Sequence, residues 1–329
     1  MIIDSHGHIV APAELYQYQA MLLASRGYPD IGAPVITDEM LEKSLDEHMK
    51  IMDEVGTDLQ IISPRPFHMM HSVKPDKIVH TWTKYVNDII ARQVALRPDR
   101  LLGMGALPQS PGADIQECLP ELERCVKELG FVGTLLNPDP MEGGHPTPPG
   151  LGDKYWYPLY EKLVELDVPA LVHSASCCSP RESYTLHFIN EESIAIMSLL
   201  DSDVFKDFPT LKIIISHGGG AIPYHMGRFR AWRLRKGEES FDVSMKRLYY
   251  DTCNYSQESL ELLFKVIGPD NVVFGTEKPG TGSAKDPATS RDLDDLKPVI
   301  DGIDSLTDAD RKKIYETNAQ KLFNLKQKI

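Results

Sequence analysis

Met1-Ile2-Ile3-Asp4-Ser5-His6-Gly7-His8 opens the chain and is the stretch from which the fold can be argued. Ile2 and Ile3 predict a short buried strand, and His6 and His8 follow it with one residue between them. In extended backbone, residues two positions apart point to the same side, so both imidazoles can converge on one metal ion. Gly7 would allow a close backbone approach. Because this short pattern also arises by chance, the rest of the chain must supply further ligands.

Seven more apolar segments follow, and amphipathic or apolar helices separate most of them. The predicted strands after the first cover residues 58–63, 101–106, 131–136, 168–173, 211–216, 248–252 and 271–276. The predicted helices cover residues 41–56, 76–96, 114–129, 155–166 and 191–200, with two further helices at 291–300 and 308–323. Eight strands alternating with helices predict an α/β fold, a (β/α)8 TIM barrel, and a single domain over residues 1–329.

Two irregular segments are expected to act as lids over the carboxyl ends of the strands. Residues 9–37 have weak periodicity and four interrupting residues, namely Pro12, Pro29, Gly32 and Pro34. Residues 138–152 form a Gly/Pro-rich insertion after which the strand-helix alternation resumes at once. Long loops of this kind in a compact domain are usually functional, so both are interpreted as lids rather than linkers.

Candidate metal ligands stand where predicted strands end. His173 closes the fifth strand, His217 follows the sixth, and Glu277 follows the eighth. A barrel gathers these ends at one face, so His6, His8, His173 and Glu277 are expected to bind a divalent ion of the zinc or manganese type. His217 is expected to transfer a proton beside it. His173 alone could instead be a buried core histidine bonded to a backbone carbonyl.

Candidate substrate contacts are the polar side chains of the same predicted face. They are Arg65, Asn137, Arg181, Tyr184, Arg228 and Lys278. Arg65 could equally be a solvated loop arginine, and Arg228 could belong to a solvated basic helix face. Cys177 and Cys178 are adjacent, which disfavours a disulfide between them, and a structural role is favoured over a role in the site.

Composition narrows the function classes. The chain has 329 residues, 42% hydrophobic residues and a formal net charge of -13. This acidic balance argues against nucleic-acid binding, and a small anionic substrate would need local arginines and lysines. Five cysteines without a CxxC motif suit a reducing compartment. No apolar run reaches membrane-spanning length and the N-terminus does not resemble a signal peptide, so a cytoplasmic location is expected.

Several motifs together resemble the metal-dependent amidohydrolase superfamily. They are Asp4-Ser-His-Gly-His8, Val172-His173, Ser216-His-Gly-Gly-Gly220 and Phe274-Gly-Thr-Glu277, with Arg124-Cys-Val-Lys-Glu-Leu-Gly130 and the run from His217 to Arg228. The resemblance covers essentially the whole chain and is to the branch that contains aminocarboxymuconate-semialdehyde and γ-resorcylate decarboxylases. It implies a zinc ion on His6, His8 and His173, with Glu277 as fourth ligand or base. It also implies that Arg228 enters a neighbouring subunit's site, hence a homodimer or larger homo-oligomer.

One departure from the decarboxylase pattern bears on the reaction. Those enzymes have aspartate where this chain has Glu277, and Thr276-Glu-Lys-Pro-Gly280 instead resembles the 4-oxalomesaconate hydratases. The resemblance implies addition of water to 4-oxalomesaconate, or its enol tautomer, to give 4-carboxy-4-hydroxy-2-oxoadipate in protocatechuate and gallate breakdown. Decarboxylation of an aromatic or muconate-type acid is the main alternative. A metal-binding protein without catalytic activity is a more distant one.

Overall fold

Within the described residues, seven parallel strands form one sheet in the order in which they occur along the chain. The computed structural model describes residues 1–28 and 31–325, so Pro29 of the first predicted lid lies outside the described residues. The strands are β1 (Ile3–His8), β2 (Leu59–Ser63), β3 (Leu101–Gly105), β4 (Gly133–Leu136), β5 (Ala170–Val172), β6 (Ile213–Ile215) and β7 (Tyr249–Tyr250). Every residue of β1 is buried, as expected when both faces of a parallel sheet are covered. The α/β class predicted from the sequence is confirmed.

The eighth predicted strand, residues 271–276, is not a regular strand in the described structure, yet it bonds to both ends of the sheet. Val273 N donates to Tyr250 O of β7 at 2.9 Å, and Ser5 N of β1 donates to Phe274 O at 2.8 Å. Between these two bonds, Phe274 N donates to Ile314 O instead. This diversion to the C-terminal region interrupts the ladder and explains why the segment lacks regular strand pairing.

Helices cover the outside of the sheet. They are α1 (Ala13–Ser25), α2 (Asp38–Val55), α3 (Lys77–Leu96), α4 (Leu119–Lys127), α5 (Tyr157–Leu166), α6 (Tyr184–Leu200), α7 (Val204–Asp207), α8 (Met226–Lys236), α9 (Phe241–Met245), α10 (Gln257–Ile267), α11 (Lys297–Asp301), α12 (Asp308–Lys312) and α13 (Asn318–Leu322), with a π-helical turn at Lys313–Thr317 between the last two. No helix in the described ranges is long and apolar enough to cross a membrane.

Three helix predictions need correction. The segment 9–37 is not irregular throughout, because α1 lies within it and buries Leu15, Tyr18 and Leu22. Helix α6 begins seven residues before its predicted start at 191, because the Ser183 side chain accepts a hydrogen bond from Leu186 N and caps it. The helix predicted at 291–300 is reduced to α11.

Candidate metal centre

Four buried side chains from distant parts of the chain meet at the carboxyl ends of the strands. His6, His8, His173 and Glu277 each present one ligand atom, and these atoms lie within 4.8 Å of one another. The ring centroids of His6 and His8 are 5.0 Å apart, as are those of His6 and His173. The structure therefore brings together the whole set that the sequence predicted as metal ligands.

Hydrogen bonds engage the same nitrogen, Nδ1, of all three histidine rings. His6 Nδ1 donates to Asp251 Oδ2 at 2.6 Å, and His173 Nδ1 donates to the Ser174 carbonyl at 2.6 Å. His8 Nδ1 lies 2.9 Å from Ser63 Oγ, whose own proton goes to a carbonyl, so His8 donates there too. With Nδ1 protonated, each neutral ring carries its lone pair on Nε2, and the Nε2 of His8 lies 3.2 Å from Glu277 Oε1.

These Nε2 atoms fit a divalent cation. The Nε2 atoms of His6 and His173 are buried and have no hydrogen-bond partner among the described residues. A buried polar atom without a partner is costly, whereas histidines that donate through one nitrogen and bind metal through the other are the usual arrangement. The donor set of three imidazoles and one carboxylate suits zinc or manganese.

The charges also suit a cation. Burial by itself would raise the pKa of Glu277, but contacts with His173 and His8 outweigh it and hold that pKa well below its usual value. Burial lowers the pKa of His8 to about 3, against the opposing effect of Glu277. An ionised carboxylate among neutral imidazoles is the state in which all four side chains can bind a metal.

His217 stands beside this cluster with a carboxylate behind it. Its ring centroid is 4.8 Å from that of His173, and its Nδ1 donates to Glu192 Oε1 of α6 at 2.8 Å. Burial lowers the pKa of His217, but Glu192 overcomes that effect and raises the pKa to about 10. Phe188, also on α6, stacks on the His217 ring with an interplanar angle of 19°.

The backbone is unusual at both predicted proton-transfer residues. His217 has φ of 49° and Glu277 has φ of 61°, in the left-handed region that non-glycine residues rarely adopt. Such strain concentrates at functional sites. Gly218 follows at φ of 62°, where a Cβ would lie only 2.1 Å from Asn254 Nδ2, so a side chain there would displace Asn254. Gly7, in contrast, makes room for the Gln60 side chain and not for the metal centre.

Two cavities adjoin the cluster, and Glu277, Tyr184 and Phe188 line both of them. The first, of about 380 Å³, is lined also by His8, His173 and Arg65. The second, of about 190 Å³, is lined also by His217. Arg65 and Tyr184 are therefore the two predicted substrate contacts that the structure places next to the metal cluster.

The other four predicted contacts lie elsewhere. Asn137 Nδ2 donates to His71 Nδ1 at 2.8 Å, and Arg181 lines a separate cavity of about 560 Å³. Arg228 lines a groove of about 450 Å³ on α8 with Trp232. Lys278 Nζ is bonded to Asp292 Oδ2 at 2.8 Å and Asp294 Oδ1 at 2.7 Å, so its charge is used within the chain.

Sequence reasoning missed the residues that orient the cluster. Asp251 and Glu192 hold His6 and His217, and Tyr255 donates to Glu277 Oε2 at 2.9 Å. Two of them left a signal in the sequence. Asp251 is the charged residue within the predicted seventh strand, 248–252, and Glu192 falls on the apolar face of α6.

The comparisons with known proteins agree with this geometry. The family profile described as Amidohydrolase matches residues 3–325. A 2-keto-4-carboxy-3-hexenedioate hydratase from Sphingobium sp. is 41% identical, with 98% of this chain and 96% of that protein covered.

Two solved structures share the fold. The 4-oxalomesaconate hydratase from Rhodopseudomonas palustris superposes with a TM-score of 0.89 and 40% identity, over 98% of this chain and 96% of that one. A dihydroxybenzoic acid decarboxylase from Polaromonas sp., solved with bound manganese and the inhibitor 2-nitroresorcinol, has a TM-score of 0.75 and 26% identity over 98% and 97% of the two chains.

Proposed function

Since this chain belongs to the amidohydrolase family, we propose that it is the hydro-lyase that adds water to the conjugated C=C bond of 4-oxalomesaconate or its enol tautomer. The observation that carries the proposal is the match to a hydratase, at 41% identity over 98% of the chain. The product is 4-carboxy-4-hydroxy-2-oxoadipate, an intermediate of aromatic catabolism. The chain is thus an enzyme of the family and not a passive metal-binding protein.

We propose that the chain forms an eight-stranded barrel in which residues 271–276 take the place of the eighth strand. The backbone bonds from this segment to β7 and β1 support it. We also propose that the segments 9–37 and 138–152 cover the site as lids, the first by way of α1.

We further propose that His6, His8, His173 and Glu277 bind one divalent ion, zinc in the first instance and manganese as the alternative. The unpartnered Nε2 atoms of His6 and His173 support this assignment. When bound, such an ion acts as a Lewis acid that makes water more acidic and stabilises developing negative charge.

Glu277 is assigned as the base. Its carboxylate is ionised, lines both cavities next to the histidines, and is oriented by the Tyr255 hydroxyl. In the isomer for which the Sphingobium relative is named, 2-keto-4-carboxy-3-hexenedioate, the C=C bond is conjugated with the keto group, and Glu277 can take a proton from the water that attacks the carbon β to that group. The attack puts negative charge on the enolate oxygen of the substrate.

His217 is assigned as the acid. Glu192 holds its ring as the charged form, and the ring lines the smaller cavity. A proton delivered from His217 to the carbon between the keto group and the new hydroxyl-bearing carbon would complete the addition. The positive ring would also favour the enolate that precedes this step.

The substrate has three carboxylates, and Arg65 is the one arginine or lysine among the described residues that lines the cavity beside the proposed ligands. We propose that Arg65 and Tyr184 bind one of them directly. Arg228 is proposed to serve the site of a second copy in a homodimer or larger homo-oligomer. Arg181, Asn137 and Lys278 remain proposed contacts on the sequence pattern alone, since the structure places them elsewhere.

Decarboxylation is the second candidate, because a decarboxylase structure also superposes over 98% of the chain. A direct assay separates the two. Metal-replete enzyme and its Glu277→Gln variant are given 4-oxalomesaconate while loss of the conjugated chromophore, product mass and CO₂ are followed.

A product one water heavier, without CO₂ and with turnover lost in Glu277→Gln, is expected. CO₂ release from this substrate, or full turnover by Glu277→Gln, would refute the proposal. Glu161→Gln, which removes an exposed carboxylate on α5, is the matched control and should leave turnover unchanged.

A further inference from the structure

Helix α6 carries a second group of polar side chains on the face adjacent to the one that contacts His217. Phe188 and Glu192, four residues apart, contact His217. The preceding residues, His187 and Glu191, have the same spacing and therefore share the adjacent face. Glu191 lines the cavity of about 560 Å³ under the insertion 138–152.

The donor atoms at this second face form a compact set. Asp139, His187 and Glu191 each offer one ligand atom, and the three atoms lie within 4.8 Å of one another. The His187 side chain is 1% exposed, and its Nε2 has no hydrogen-bond partner within residues 1–28 and 31–325. A buried nitrogen left in this state, facing two carboxylates, indicates a missing ligand.

The distances suit a metal ion better than a hydrogen bond. His187 Nε2 lies 3.5 Å from Asp139 Oδ2. Two ligands at about 2.0–2.1 Å from one ion, at a tetrahedral angle, are separated by about 3.3 Å. On the other side of the ring, His187 Nδ1 lies 3.4 Å from Glu182 Oε1, which places a carboxylate behind a metal-binding histidine in the usual way.

Asp139 is held in position for such a role. Its Oδ1 accepts from Met141 N at 2.9 Å and its Oδ2 accepts from Gly143 N at 2.6 Å. Arg181 lines the same cavity but is exposed, so the carboxylates around His187 retain a negative charge that a cation would neutralise.

We propose that Asp139, His187 and Glu191 bind a second divalent transition-metal cation, of the zinc or manganese type, that ties the insertion 138–152 to α6. The mixed nitrogen and carboxylate donors favour this class of ion. The inference does not depend on the reaction catalysed at the first centre. A cation here fixes the helix that holds Phe188 and Glu192 against His217.

A rival donor set shares the same histidine. Cys177, Glu182 and His187 also cluster, on the Nδ1 side of the ring. The Cys177 Sγ already points at two carbonyls, those of Ser179 and Glu182, each at 3.8 Å. The Nδ1 side is thus satisfied, whereas the Nε2 side is not.

The test is metal content. Enzyme saturated with Mn²⁺ or Zn²⁺ is gel-filtered at a fixed low concentration of the free ion, and metal per chain is measured by mass spectrometry. Wild type should hold about two ions per chain, and Glu191→Gln and Asp139→Asn about one, because each removes one ligand. Glu182→Gln should weaken the second ion by about 10–100-fold, since it removes the carboxylate behind His187.

Two controls and one direct measurement decide the outcome. Cys177→Ser and Glu161→Gln should both keep the second ion. A single ion in wild type, or a second ion that survives Glu191→Gln and Asp139→Asn, would overturn the proposal, as would its loss in Cys177→Ser. If a variant does not fold, anomalous scattering at the manganese edge from wild-type crystals should give a peak between the three side chains, and its absence would be equally decisive.

Discussion

Replacing Asp251 by asparagine should disable the metal centre through the tautomer of one histidine. The carboxylate accepts from His6 Nδ1 through Oδ2, and from the backbone N–H groups of Gly218 and Cys253 through Oδ1 at 3.0 and 3.1 Å. An asparagine must turn its oxygen towards those two N–H groups, since its NH₂ group cannot accept from them. The NH₂ group then faces His6 Nδ1 and donates to it. The His6 proton moves to Nε2, the atom that should bind the ion.

The magnitude follows from the bond that is lost. A hydrogen bond to a buried charged group contributes about 1.5–3 kcal/mol. Loss of such a carboxylate behind a metal-binding histidine weakens metal binding by about 10–100-fold. We therefore expect the affinity of Asp251→Asn for Zn²⁺ or Mn²⁺ to fall within that range, while the metal-free protein remains folded.

Competition with a chelator of known affinity measures the effect, and denaturant unfolding of the metal-free proteins checks the fold. Cys253→Ser is the matched control, because Cys253 Sγ lies 3.6 Å from the same His6 nitrogen without being a carboxylate acceptor. An unchanged affinity in Asp251→Asn would refute the reasoning. So would an equal loss in Cys253→Ser.

Three further outcomes are expected. Glu192→Gln removes the acceptor of His217, so the pKa of His217 should fall, the basic limb of the rate profile should move to lower pH, and kcat should drop by about 10–100-fold. Lys278→Met leaves the fully buried Asp294 without its cation and should lower the free energy of unfolding by about 3–5 kcal/mol. The double variant Lys278→Met with Asp294→Asn should recover most of the lost stability. If Lys278 only contacted substrate, Lys278→Met would leave stability unchanged. Burial lowers the pKa of His71 to about 4, whereas in the unfolded state it is about 6.5. Between about pH 6.5 and pH 4 the unfolded state therefore binds more protons than the folded state. The free energy of unfolding should therefore fall on acidification. Between neutral pH and pH 5, chemical denaturation should show a fall about 2 kcal/mol larger in wild type than in His71→Gln.

The strands and the ligand set were predictable because their signals are local. Ile2 and Ile3 before His6 mark a strand end, and the same pattern recurs before His173 and Glu277. Parallel strands bring such ends to one face, so their meeting needs no knowledge of exact pairing. The brevity of β7, and the failure of residues 271–276 to form a regular strand, depend on tertiary bonds that no local pattern records.

The roles that sequence analysis did not predict correctly belong to residues that act through a partner distant in the sequence. Lys278 follows a strand as a ligand would, but its partners Asp292 and Asp294 become visible only when the following loop folds back. Asp251 acts through His6, which is far away in the sequence. Helix α1 was missed because Leu23, 44% exposed, lies on its outer face and blurs the apolar stripe.

The backbone bond from Glu277 N to His6 O, at 2.7 Å, joins the first and last of the four proposed ligand residues directly. During translation His6 is synthesised long before Glu277, because at about 5–20 residues per second the segment between them takes about 10–50 s to synthesise. A nascent chain in that interval presents His6 and His8 without their carboxylate partner. Metal uptake by the full proposed ligand set therefore requires translation through Glu277, and the ion content of a preparation is expected to report how many molecules have formed this bond.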